Sequence, residues 1–240
     1  MAYEFIHILS HMRSGSTLLA HLLASHPEII GYGETHIRYD GPEDFDALVN
    51  DVLQTLGRPP QPGPERYVLD KLLHDRLLEP DNVRLLVEAK VRVVFLLREP
   101  RGSLASMLKH LKMTEQNAAL YYVTRLVTLE RYAQALAPHA ACAALTYDQL
   151  LYRTDESLEL LKSHLGLRHA PAETYRMLPT TGRKRVGDFT PNIFAGSIVR
   201  GGEETAGPQP SAGVLGGAKK VYEHSRAVLE QTCRHIGKDE

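Results

Sequence analysis

Short apolar runs alternate with segments of helical spacing along most of the chain, and their order predicts its layout. Residues 5–9 carry Phe5, Ile6, Ile8 and Leu9 in a run too short for a helix, which reads as a buried strand. From Ser16 onward Leu18, Leu19, Leu22 and Leu23 recur with helical period until Pro27 stops the helix. Residues 29–32 form a second strand-like piece and 43–56 a helix. Residues 67–69 form a strand that ends in Asp70 and Lys71, with 72–79 helical, so that Lys71 and His74 share one face a turn apart. Asp81 caps a helix running to about residue 89. Val91, Val93, Val94, Phe95, Leu96 and Leu97 then make the strongest buried strand of the chain.

Pro100 suits the first turn of a helix that Leu104, Met107, Leu108 and Leu111 continue. Residues 115–136 form a long amphipathic helix broken by Pro138, 140–146 a strand of small residues, and 147–151 a helical turn. A helix over 156–165 ends at Gly166, and 218–236 form the last one. This alternation predicts an α/β protein, a three-layer α/β/α sandwich with a mostly parallel central sheet, and 240 residues fit one domain. Two stretches fall outside the rhythm. Residues 40–66, rich in proline, read as a substrate-facing excursion rather than core. Residues 180–217, rich in glycine and proline, read as a mobile loop over cofactor or substrate.

Composition narrows the picture. A hydrophobic content of 43% is that of an ordered globular chain, and a net charge of -1 gives no general attraction to nucleic acid or to a membrane surface. Cys142 and Cys233 fit no metal-ligand spacing and are expected as reduced, buried thiols. No apolar run approaches the roughly 20 residues that span a bilayer, and no leader pattern precedes Phe5, so a cytoplasmic protein without an integral membrane segment is expected. Nothing in the pattern sets the oligomeric state.

The chemistry concentrates at strand ends. Residues 10–17 can be laid on the phosphate-loop pattern G-x-x-x-x-G-K-[ST], with Ser10 for the first glycine, Gly15 as the second and Thr17 as the last hydroxyl. The backbone N–H groups of Gly15, Ser16, Thr17 and Leu18, with the helix dipole behind them, would attract an anion. Ser16 stands where a triphosphate kinase needs lysine, and Arg13 supplies a cation inside the loop instead. Taken alone, the stretch is either a modified phosphate loop, hence a P-loop-containing fold, or an ordinary strand, turn and helix. Arg98 follows a buried strand directly, and with Ser106 about two turns along the next helix it could hold a second phosphate or make a structural salt bridge. Glu34, Thr35 and His36 fall at another strand's carboxyl end, where parallel sheets hold ligands.

Three blocks, RSGSTLL at 13–19, HPEIIGYGET ending at Thr35 and VVFLLREPRGSLASML at 93–108, together resemble the sulfotransferases that use 3′-phosphoadenosine-5′-phosphosulfate (PAPS). The arginine-bearing loop and the G-E-T segment are more similar to the tyrosylprotein and carbohydrate branches and their bacterial relatives than to the cytosolic small-molecule branch. The resemblance covers most of residues 5–151. It implies that Arg13 and the loop amides of Ser14, Gly15, Ser16, Thr17 and Leu18 bind the 5′-phosphosulfate, and that Arg98 and Ser106 bind the 3′-phosphate. Glu34 would be the general base and Lys71 would steady the transferring sulfuryl group. Tyr147, in LTYDQLL, matches a block near the cofactor, with a structural role first.

GRKRVGDF at 182–189 is similar to the RKG-x-x-GDW closing loop of the cytosolic branch, which would fold Arg183 and Lys184 over the 3′-phosphate, although Arg185 and Phe189 depart from that pattern. His74 competes with Glu34 for the role of base, and His36 is a third candidate for it whose better-suited role is contact with the acceptor. The activity implied is in-line transfer of a sulfuryl group from PAPS to a hydroxyl of a small molecule, carbohydrate or peptide. The product would be adenosine 3′,5′-bisphosphate, with no metal and no nucleic acid partner. The competing readings are a P-loop kinase of unusual type, which would need ATP and magnesium, and a non-catalytic P-loop-like binding protein.

Overall fold

The computed structural model describes residues 3–59, 63–74, 83–183, 188–201 and 207–237. Five strands, β1 (Glu4–Ser10), β2 (Ile29–Gly31), β3 (Tyr67–Leu72), β4 (Val91–Leu97) and β5 (Cys142–Thr146), form one sheet in the order β2-β3-β1-β4-β5. Every pairing is parallel. β1 sits centrally with β3 on one side and β4 on the other, so the connection after β1 and the connection after β3 run in opposite directions along the sheet and open a crevice at the strands' carboxyl ends. The helices are α1 (Ser16–Ala24), α2 (Glu43–Thr55), α3 (Arg84–Glu88), α4 (Pro100–His110), α5 (Glu115–Leu136), α6 (Tyr147–Tyr152), α7 (Thr154–Leu165) and α8 (Ala212–Thr232).

Strand alternation divides the interior into two cores, as the three-layer expectation requires. Val91, Val93, Phe95 and Leu97 of β4 join Phe5 and Leu9 of β1 under α2, α4, α5 and α8. Val94 and Leu96 join Ile6, Ile8 and Leu69 under α1 and α7. β4 is buried on both faces, which is why it reads as a continuous apolar run.

Three expectations are corrected. The helix inside the 40–66 excursion is packed as core: Phe45, Leu48, Val52 and Leu53 of α2 are buried, with the Phe45 ring 4.7 Å from that of Phe5. Their spacing defines one apolar face, and the proline-rich flanks obscured it. β3 extends to Leu72, so Asp70 and Lys71 lie within the strand rather than past its end, and the helix expected from 72 begins as strand; residues 75–79 of it, like Asp81, lie outside the described residues.

α8 begins at Ala212 rather than 218. Gly213, Gly216 and Gly217 each cost about 1 kcal/mol against alanine in a helix, yet Val214 packs on the first core and the Ser211 N–H donates to the Glu115 carboxylate. The helix stops at Thr232 because Cys233 turns extended and Arg234 bridges Ala143 of β5.

Candidate active site

The crevice at the carboxyl ends of β1, β3 and β4 is a cavity of about 350 Å³ lined by Arg13, Gly15, Thr17, Glu34, His36, Lys71, His74, Arg98 and Asp188, among others. Its floor is the turn between β1 and α1. Gly15 adopts φ 90°, which favours glycine, and Arg13 also has a positive φ of 61°, so the turn is strained where its side chain is aimed inward. Gly15 at the N-cap of α1 offers no side-chain cap; the Ser16 N–H donates to Ser14 Oγ at 3.3 Å, which leaves the N–H groups of Thr17 and Leu18 available to an anion, whereas α4, α5 and α6 are capped by Glu99, Thr114 and Thr146. Ser14 is buried, its hydroxyl 2.6 Å from that of Ser10, which in turn donates to the Leu96 carbonyl at 2.6 Å. The turn is thereby tied to β4.

Arg13 reaches across the turn. Its Nε donates to Ser106 Oγ of α4 at 2.8 Å, and its terminal nitrogen Nη1 lies 3.1 Å from Asp188 Oδ1. Burial works to raise the Asp188 pKa, but the Arg13 charge and the donors of Thr190 outweigh it and hold the carboxyl below its ordinary value. Arg98 donates from Nη1 to the Arg13 carbonyl at 3.3 Å and lies over the Tyr147 ring at 4.3 Å. A Cβ on Gly102 would come within 2.9 Å of the Arg98 guanidinium, and one on Gly15 within 2.3 Å of the Tyr147 ring. Both glycines are therefore close-approach positions that let charged and aromatic groups crowd the turn.

On the opposite wall, Lys71 is 1% exposed. Its Nζ donates to Thr17 Oγ1 at 3.2 Å and lies 3.8 Å from Glu34 Oε2, while Glu34 Oε1 lies 3.4 Å from His36 Nδ1. Burial pushes the Lys71 ammonium below its ordinary pKa, opposed by the charges of Glu34 and Asp70. Asp70 points to the other face of β3. It accepts from the backbone N–H and hydroxyl of Thr35, from the Tyr39 hydroxyl and from the Lys71 N–H. Burial raises its pKa to about 6, and those four bonds restrain the rise. The result fixes the 34–36 turn so that Glu34 faces Lys71.

Arg13, Gly15, Ser16, Thr17, Glu34, Lys71, His74 and Arg98 thus line one cavity, with Ser106 and Tyr147 joined to it through Arg13, Gly15 and Arg98. Ser14 lies beneath the turn, and Leu18 packs against the second core with its side chain directed away from the anion position. Arg183 is exposed and outside the cavity lining, and Lys184 lies outside the described residues.

Three groups gained no role from the sequence. Asp188 closes the cavity although it is 175 residues from Arg13. Arg125 of α5 is 4% exposed and donates to the carbonyls of Ser10 at 2.9 Å and Leu72 at 3.0 Å, strapping the ends of β1 and β3 together. The Tyr121 hydroxyl does the same for the Met12 N–H, at 2.9 Å, and the Leu73 carbonyl, at 2.6 Å. The signal for Arg125 was a charge inside the apolar stripe of Tyr122, Leu126 and Leu129. Among the described residues, no group of three or more His, Cys, Asp or Glu is placed to hold a metal, and no helix is long and apolar enough to cross a membrane.

Solved sulfotransferases share this architecture. The sulfotransferase domain from the curacin biosynthetic pathway is 14% identical, over 96% of this chain and 97% of that one, with a TM-score of 0.57. Mouse sulfotransferase SULT7A1 complexed with PAP is 10% identical, over 98% and 91%, also at 0.57. The sulfotransferase domain of the Synechococcus PCC 7002 olefin synthase is 17% identical, over 96% and 95%, at 0.56. No protein-family model and no curated protein matches the sequence. The chain has the P-loop-containing α/β fold of the sulfotransferases.

Proposed function

We propose that this protein is a sulfotransferase that moves a sulfuryl group from PAPS to the hydroxyl of a small-molecule acceptor. The observation that carries the proposal is the meeting of Lys71, Glu34 and Thr17 opposite Arg13 in one cavity: a buried cation, a carboxylate and an uncapped helix start converge on one point. The donor supplies an activated sulfuryl group on a good leaving phosphate. The chain's residues suit such an anion, since Arg13, Lys71 and Arg98 are cations around one crevice and the first turn of α1 presents N–H groups to it.

Each role follows from position. Arg13 and the α1 amides hold the 5′ end of the donor, and Arg98 with Ser106 holds the 3′-phosphate. The Arg13 bond to Ser106 supports this reading, since it joins residues assigned to the two anion positions. Lys71 faces the charge that grows on the transferring group, and its burial strengthens that interaction. Glu34, beside Lys71 and 7% exposed, accepts the acceptor's proton. Sulfuryl transfer then rests on alignment and charge stabilisation. His36 and His74 line the acceptor side together with Met12, Leu73, Leu111 and Phe189, which offer an apolar surface to the acceptor body.

Transfer of radiolabelled sulfate from PAPS to a panel of alcohols and phenols tests the proposal. Arg13→Ala and Glu34→Ala are expected to abolish it, and undiminished rates in both would overturn the assignment. Calorimetry should find adenosine 3′,5′-bisphosphate binding in preference to ATP with magnesium; the reverse order would favour the kinase reading.

A further inference from the structure

We propose that Cys142 and Cys233 are a disulfide site that staples the end of α8 to the edge strand β5. The two residues are far apart in sequence but neighbours in space. Arg234 pairs with Ala143 in a parallel bridge, its N–H donating to the Cys142 carbonyl at 3.1 Å while the Ala144 N–H donates to the Arg234 carbonyl at 2.8 Å. The preceding residue on each segment is a cysteine, so the pairing puts both side chains on the same face of adjacent backbones about 4.8 Å apart, inside the range a disulfide spans. Both are free thiols in the structure, with Cys233 Sγ 2.7 Å from Cys142 Sγ. Both residues are buried, at 1% and 2% exposure, in the first core beside Leu136 and Leu229.

The oxidant is a small-molecule disulfide such as glutathione disulfide. One cysteine thiolate attacks it, forming a mixed disulfide and releasing one glutathione thiolate. The second cysteine then attacks the protein sulfur of that mixed disulfide and releases the other. Two protein thiols give up two electrons and two protons, and one glutathione disulfide becomes two thiols. Access comes from local opening of the Cys233–Arg234 stretch, since short edge pairings are among the first to open in a folded protein. The apolar surroundings and the preformed alignment favour closure by the second cysteine over a lasting mixed disulfide.

The closed loop joins residues 91 apart, which places the cross-link among those that restrain the unfolded chain most. The test uses the full chain, equilibrated with glutathione disulfide or with dithiothreitol, then denatured, alkylated and mapped by mass spectrometry. The expected result is a peptide pair linking Cys142 to Cys233, a mass lower by two hydrogens, no alkylatable thiol, and a thermal midpoint roughly 10 °C above that of the reduced protein. Cys233→Ser should form no cross-link, and its midpoint should ignore the redox condition; if that variant does not fold, peptide mapping of the native chain decides alone. Two alkylatable thiols after oxidation, a stable glutathione adduct or an intermolecular dimer as the end product would each overturn the proposal.

Discussion

Asp188 Oδ1 lies 3.1 Å from Arg13 Nη1, so a carboxylate of the late loop partly neutralises the cation at the start of the chain's phosphate turn. The Asp188 N–H also donates to Thr17 Oγ1 at 3.1 Å, which seats the same residue over α1 by its backbone. An anionic donor entering the cavity competes with that carboxylate for Arg13. Asp188→Asn keeps the backbone seat and removes the charge. Adenosine 3′,5′-bisphosphate should bind this variant about three- to tenfold more tightly by calorimetry, the worth of roughly 1 kcal/mol of relieved competition at a partly exposed pair. Weaker binding would mean that Asp188 serves Arg13 by orienting it.

Glu34 and Lys71 make separable kinetic predictions. Glu34→Gln removes the proposed proton acceptor while keeping the shape of the wall, and should lower kcat by about 10²–10⁴ with little change in donor KM. Lys71→Met should cost about 10²–10³ in kcat. His74→Ala is expected to weaken acceptor binding more than turnover. A larger kcat loss in His74→Ala than in Glu34→Gln would reassign the base to His74.

Arg125 holds the ends of β1 and β3 from below, and methionine would leave the Ser10 and Leu72 carbonyls buried without this donor. Arg125→Met should lower stability by roughly 2–5 kcal/mol, read as a fall in the urea midpoint at unchanged slope. Arg125→Lys should recover only part of the loss, because a single ammonium cannot reproduce the planar fork. A midpoint equal to that of the parent would remove the strap from the account.

Acid should destabilise the fold in a definite window. Burial lowers the pKa of His7 to about 3 and those of His11 and His164 to about 4. Below the ordinary histidine pKa of about 6.5 the unfolded chain takes up protons that these folded rings refuse. Their contribution is complete above pH 6.5 and is lost as pH falls toward 4, on the order of 5 kcal/mol by pH 5 for the three together, offset by roughly 1 kcal/mol because Asp70, raised to about 6, takes up a proton in the fold over the same window. Urea titrations at pH 7 and pH 5 check this, and equal stability at the two would show that the folded rings take up protons over the same pH range as the unfolded chain.

How much of this was legible in the sequence depended on whether the signal was local. β4, α4 and α5 declared themselves because an apolar run or a clean helical period sits between clear stops, and Arg98 directly after β4, with Arg13 and Glu34 shortly after β1 and β2, lies at a carboxyl edge where topology alone brings them together. α2 was misjudged because its apolar face is diluted by Glu43, Asp44 and Asp46 and flanked by prolines. The start of α8 was hidden by glycines whose cost is met by contacts with α5. The pairing of Arg13 with Asp188, and of Cys142 with Cys233, joins residues that no local pattern connects, since both depend on how the last third of the chain returns to the sheet.

Asp70 and Lys71 are consecutive residues of β3 whose side chains leave on opposite sides, the acid shaping the turn that carries Glu34 and the base entering the cavity beside Thr17. One amino acid lost between Tyr67 and Asp70, with the register held at Tyr67, would move Lys71 into the place of Asp70 beside Tyr39, drop Asp70 into the place of Leu69 in the second core and bring Leu72 to the cavity. The strand's composition would hardly alter, yet the cavity would lose its buried ammonium and two charges would be sealed in the interior. Tolerance to change in this segment is therefore governed by parity, and substitutions there should be survivable where insertions and deletions are not.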